Sequence, residues 1–124
     1  NEDLINGMLV IINTKRNLSA NQTDSLLSPY QLKASLANGK GTYISSKKLN
    51  LAGLSAAELV FDPNMSQFEY EYYMRTVQYI MFYKNYLIRL QYTTGSNQKD
   101  VYTKLFNQQK PLFYKLATAT TIDK

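Results

Sequence analysis

Residues 68–94 read FEYEYYMRTVQYIMFYKNYLIRLQYTT. Two runs of aromatic and β-branched side chains flank Lys84-Asn85, the composition of two strands joined by a two-residue turn. Asn at the second turn position tolerates positive φ and Lys at the first does not favour it, which leaves the turn type open. Seven of the chain's eleven tyrosines fall in this stretch. Side-chain alternation puts Tyr73, Tyr79 and Tyr83 on one side of a sheet and Tyr70 and Tyr72 on the other. Two short helices would not bury them all, so some rings should meet water. Exposed tyrosine beside arginine is the composition of a protein-interaction surface. Tyr70, Tyr72, Tyr73, Arg75, Tyr79, Tyr83 and Arg89 are therefore the candidate binding residues. The plainer alternative is an amphipathic sheet with tyrosine hydroxyls at its rim.

Outward from this hairpin the pattern is one of strands and helices in turn. Gly7 to Thr14 (GMLVIINT) is a nearly continuous apolar run, which suits a strand covered on both faces. Asp24 to Ala37 reads as one helix broken or restarted at Pro29, with Ser28 as N-cap and Asn38-Gly39 as its stop. Tyr43 to Leu51 alternates like a strand with one wet face. Ala52-Gly53 punctuates it, Leu54 to Phe61 forms the next strand, and Asp62-Pro63-Asn64 reads as a turn. Gly95-Ser96 closes the sheet region. Asp100 is positioned to cap a helix whose apolar face carries Val101, Leu105, Phe106, Leu112, Phe113 and Leu116, kinked or restarted at Pro111. Thr118 to Ile122 is β-branched enough for a last edge strand. The order predicts an α+β fold, an antiparallel sheet with two main helices packed on it.

At 124 residues the chain suits one domain, residues 1–124, able to bury roughly two thirds of its unfolded surface. It contains no His, Cys or Trp. That excludes Cys-ligated zinc, iron–sulfur clusters, thiol nucleophiles and every imidazole-based triad. Absent cysteine leaves the redox compartment open. No run reaches the ~18–20 apolar residues of a membrane span. The chain does not open on Met, and a removed leader or a truncated start is expected. Net charge is +5, with the lysines and arginines scattered from Lys15 to Lys124 and not gathered on one stripe. That distribution argues against nucleic acid as a partner.

Catalytic and ligand motifs are few. Glu69 and Glu71, two apart on a strand, would share a face about 7 Å apart, and paired carboxylates can do glycosidase-type acid–base work. With Arg75 they equally make a solvated sheet face. Metal binding by the same pair with Asp62 lacks a further ligand at useful spacing. No cofactor or metal is expected. Ser45-Ser46-Lys47-Lys48 satisfies S-x-x-K, but on a strand Ser45 and Lys48 face opposite sides and cannot cooperate. Gly39-Lys40-Gly41 lacks the rest of a phosphate loop. Asn17, Asn21 and Asn64 head N-glycosylation sequons in expected loops.

From Gly7 to Ile122 the chain resembles the PsbP/Mog superfamily, which includes DcrB-type lipoproteins and the Eag chaperones of secretion effectors. The resemblance rests on the corner Ala52-Gly53-Leu54-Ser55-Ala56-Ala57-Glu58-Leu59, on the strand Tyr86-Leu87-Ile88-Arg89-Leu90-Gln91-Tyr92, and on Thr118 to Ile122 as an echo of the family's last strand. The family's opening hairpin, with an aromatic-Pro-x-x-Trp signature, has no counterpart. It would precede Asn1, and without it one sheet edge or part of the core is left open. The resemblance implies a non-enzymatic role: a protein-binding or accessory subunit of a larger complex, exported to the periplasm or envelope, with a lipid anchor on the missing N-terminus. An effector chaperone holding an apolar segment on Met74, Val77 and Ile80 is the first alternative. A small hydrolase using Glu69 and Glu71 is the second.

Overall fold

The computed structural model describes residues 3–37, 39–64 and 72–119. Its sheet is built from β1 (Leu4–Asn13), β2 (Gly41–Leu51), β3 (Leu54–Pro63), β4 (Tyr73–Tyr83) and β5 (Tyr86–Ser96). Every neighbouring pair is antiparallel, in the spatial order β1-β5-β4-β3-β2. The last four strands form a meander, and β1 crosses back to pair with β5. Helices α1 (Ala20–Leu26) and α2 (Pro29–Ala34) lie on one face, and α3 (Lys99–Thr118) on the other. This is the antiparallel α+β architecture predicted from the sequence.

The two hairpin turns resolve the turn chemistry. Leu51 pairs with Leu54, and both intervening residues have positive φ, 53° at Ala52 and 78° at Gly53. These signs are those of a type I′ turn, which matches the strand twist. Between Tyr83 and Tyr86 the positive angle falls on Lys84, at 54°. Asn85 is held otherwise. Its carbonyl accepts from the Thr14 amide at 2.7 Å, and its side-chain Nδ2 donates to Asn13 Oδ1 at 3.0 Å. The β4–β5 turn is thus stapled to the end of β1.

Alternation gives each sheet face its own core. Val77, Tyr79 and Met81 of β4 pack with Ala56 and Val60 of β3, Leu90 of β5, and Phe106, Phe113 and Ala117 of α3. On the opposite face Ala57, Leu59, Phe61 and Ile80 pack with Leu27 and Leu32 of the helical segment. Ser28 caps α2 with Pro29 in its first turn, as expected. The preceding helix starts earlier than Asp24, because Ser19 and Gln22 form a reciprocal capping box at 3.1 and 2.8 Å. Asn21, in a sequon, therefore sits on a helix. α2 stops at Ala34, short of the expected Asn38-Gly39; Gly39 does adopt positive φ, and Asn38 lies outside the described residues.

Other expectations are corrected. β3 runs on through Asp62 and Pro63, which pair with Thr42 and Gly41 and do not form a turn. α3 continues unbroken past Pro111, which forgoes only the bond to the Asn107 carbonyl on a solvent-facing stretch. Its N-cap is Gln98, and Asp100 stands in the first turn without capping. Thr118 ends this helix, and the rest of the expected last strand lies almost wholly outside the described residues. The helix buries Phe106, Phe113 and Ala117 but leaves Leu112 and Leu116 exposed. The largest departure is β1, an edge strand and not a doubly covered one. α3 packs on β4 and β5, and α2 on β2.

Candidate interaction surface

The candidate residues do not form one surface. Tyr70 lies outside the described residues, as do Glu69 and Glu71. The parity of Tyr73, Tyr79 and Tyr83 is as expected, but theirs is the face that α3 covers. Tyr79 is 0% exposed, with its ring 6.2 Å from Tyr114 and 6.3 Å from Tyr92. It is a core residue, not a contact residue: a single unbroken helix of twenty residues covers this face, more sheet than was expected of two short helices. The Tyr79 hydroxyl makes no hydrogen bond, and burial, with the Glu58 carboxylate near, pushes its pKa far above the tyrosine range. Glu58 itself is buried and pairs with Lys110 at 3.2 Å.

Tyr72, Tyr73 and Arg75 do converge, at the end of the sheet where β4 begins. Arg75 donates from Nε and Nη2 to the two oxygens of Asp62 at 2.6 and 3.0 Å. The Tyr102 hydroxyl of α3 donates to Asp62 Oδ2 at 3.2 Å, and the Arg75 guanidinium stands 5.4 Å from the Tyr102 ring centre. Tyr73 stacks on Tyr102 at 5.5 Å. Hydrogen bonding to Asp62 raises the Arg75 pKa against the lowering effect of burial, and burial followed by the Asp62 charge raises that of Tyr102. A bidentate pair closed by a phenol holds β3, β4 and α3 together. Asp62 is thereby engaged by both Arg75 and Tyr102, while Glu69 and Glu71 lie outside the described residues. Beside it lies a 370 Å³ hollow bordered by Gly41, Tyr72 and Tyr73.

Tyr72 also covers a glycine on the face opposite α3. A Cβ on Gly95 would fall 2.8 Å from the Tyr72 ring and 2.9 Å from Met74. Tyr83 stands at the far end of β4 with Lys84 Nζ 5.3 Å from its ring centre. Arg89 is on the α1–α2 face, its cross-strand neighbours being Val10 and Ile80. Val77 and Ile80 are buried, so the apolar face that the chaperone alternative would use is not open there. Ser45 and Lys48 point to opposite faces, opposite Val60 and Ala57.

The exposed apolar surface lies on β1 instead. Leu4, Ile5, Met8, Leu9, Ile11 and Ile12 are between 39% and 58% exposed. Ile5, Leu9 and Ile11 share the face of α3; Leu4, Met8 and Ile12 share that of α1–α2. The strand runs in unbroken register along β5 from Leu4–Gly95 to Asn13–Tyr86, and its outer edge pairs with no described strand. The opposite edge strand is built differently. β2 carries Lys47 and Lys48 and shifts register between Tyr43 and Ser45, devices that blunt an edge against further pairing. β1, LINGMLVIIN, has no charge, no proline and no register shift. The sequence reading missed it because a strand flanked by apolar side chains on both faces looks the same whether its cover is intramolecular or not. The absence of any charge from Leu4 to Asn13 was the available signal.

Among the described residues no helix is long and apolar enough to cross a membrane, and no cluster of three or more acidic side chains could hold a metal ion. No protein-family model matches this chain, and no curated protein is significantly similar to it.

Proposed function

We propose that the chain is a non-catalytic binding or accessory subunit that adds an extended strand of a protein partner to the outer edge of β1. One observation carries this reading: among the described residues, one edge of the sheet is protected with lysines and a register shift and the other is left apolar and open. In β-augmentation the edge amides and carbonyls supply affinity and the flanking side chains supply selectivity. The apolar flanks of β1 on both faces would then be covered by the partner. The reading keeps the class of function expected from the sequence and moves the contact from the tyrosines of β4 to β1. An exported complex subunit or lipoprotein of the PsbP/Mog-like kind is the setting we favour for it.

The test is the native mass of the endogenous protein, with peptide identification of its companions, compared with that of a Leu9→Lys/Ile11→Lys variant. Both residues are 58% exposed, so the variant should fold with stability changed by no more than about 0.5 kcal/mol per site. A stoichiometric partner that disappears in the variant supports the reading. A partner retained by the lysine variant, or a monomer without companions, overturns it. An endogenous chain whose own additional residues form a strand on β1 would replace the partner by an intramolecular segment.

A further inference from the structure

A groove of 560 Å³ runs between the α1–α2 segment and the sheet, bordered at one side by Thr14 just past the end of β1, and shares no lining residue with the Asp62 cluster. Its walls are mainly apolar, with Leu27 and Leu32 from the helical side and Ile80, Phe82 and Leu87 from the sheet, while uncharged Thr14, Gln31 and Ser35 stand at its border. From the sheet strands two polar side chains, Gln78 and Arg89, line its floor. The Gln78 amide is engaged with Gln91 Oε1 at 2.7 Å. Arg89 has no such engagement. Its Nε is buried without a hydrogen bond, its cross-strand neighbours are Val10 and Ile80, and among the described residues no acidic side chain lines the groove. Seating a guanidinium nitrogen among leucine, isoleucine and phenylalanine without a counter-charge is destabilising. A ligand that brings an anion to Arg89 and an apolar body to the walls would relieve that cost. The volume is that of an ordinary small-molecule site.

We infer that this groove binds a medium-chain aliphatic carboxylate, its head paired with Arg89 and its chain laid along Leu27, Leu32, Ile80 and Phe82. A charge-assisted bond from a partly buried guanidinium should favour the carboxylate over an uncharged ligand of equal length by roughly tenfold or more. The experiment is an NMR titration of the full chain with decanoate, decanol and decyltrimethylammonium, following methyl and amide signals. Saturable shifts are expected at the Leu27, Leu32 and Ile80 methyls with decanoate, with decanol roughly tenfold weaker and the ammonium weaker still. Arg89→Leu should abolish the preference for decanoate over decanol while melting no lower than the native chain. Leu26→Glu, at an exposed position on the groove's lip, should weaken decanoate more than decanol and gives a second reading independent of the strand. Equal affinity for the three ligands, shifts confined to Leu9 and Ile11 of β1, or no saturable shift at all would each overturn the inference.

Discussion

Tyr79 shows how far side-chain parity reaches. Its place on the same face as Tyr73 and Tyr83 was legible from spacing alone, and its depth was not, because depth depends on where a helix twenty residues later comes to rest. Buried beneath Tyr114 and beside Tyr92, Tyr79 should respond as a core residue. Tyr79→Ala should cost about 3–5 kcal/mol in urea unfolding, whereas Tyr79→Phe should cost nothing or stabilise, since its hydroxyl makes no hydrogen bond. Release of a partner by Tyr79→Ala with stability intact would contradict this placement. Arg89 makes the opposite case. Its type and position were visible in the sequence, but its isolation from any counter-charge emerges only when β1 and β4 set Val10 and Ile80 on either side of it.

Among the elements, the hairpins were the most legible and the edges the least. Strand runs and turn residues are local properties, and β2 to β5 follow them. The corner at Ala52-Gly53 gives a direct check, because Ala52 occupies the left-handed region at φ 53°, where a Cβ costs about 1–2 kcal/mol. Ala52→Asn creates the Asn-Gly pair that a type I′ turn prefers and should raise the urea midpoint at unchanged slope, by about 0.5–1 kcal/mol. No gain would mean that the turn relaxes away from these angles. Helix α3 was half legible: Phe106 and Phe113 were placed correctly in the core, while Leu112 and Leu116, equally apolar, are about half exposed. Composition marks an apolar face but does not tell a face that meets the chain's own sheet from one that does not. β1 is the same ambiguity in a strand, and only the pairing order β1-β5-β4-β3-β2 resolves it.

At the scale of the molecule, three tyrosines tie stability to alkaline pH. Burial raises the pKa of Tyr79, Tyr92 and Tyr102 above the ordinary 10.0. In the unfolded chain these phenols ionise near that ordinary value, so above it the unfolded state binds fewer protons than the folded one and stability falls as pH rises. Full stability is retained below the ordinary tyrosine range and is lost progressively above it. Urea midpoints on either side of that range, with phenolate absorbance as the second signal, check this; a flat profile would mean that the rings are solvated. The staple between Asn13 and Asn85, 72 residues apart in sequence, has a consequence for biosynthesis. β1 leaves the ribosome about 70 residues ahead of β5, its hydrogen-bonding partner, a delay of several seconds at ordinary elongation rates of about 5–20 residues per second. Throughout that interval ten uncharged residues stand in the nascent chain with both rows of peptide groups unclaimed. Slower translation or an early-binding chaperone should therefore change the yield of this protein, which expression at two elongation rates would show.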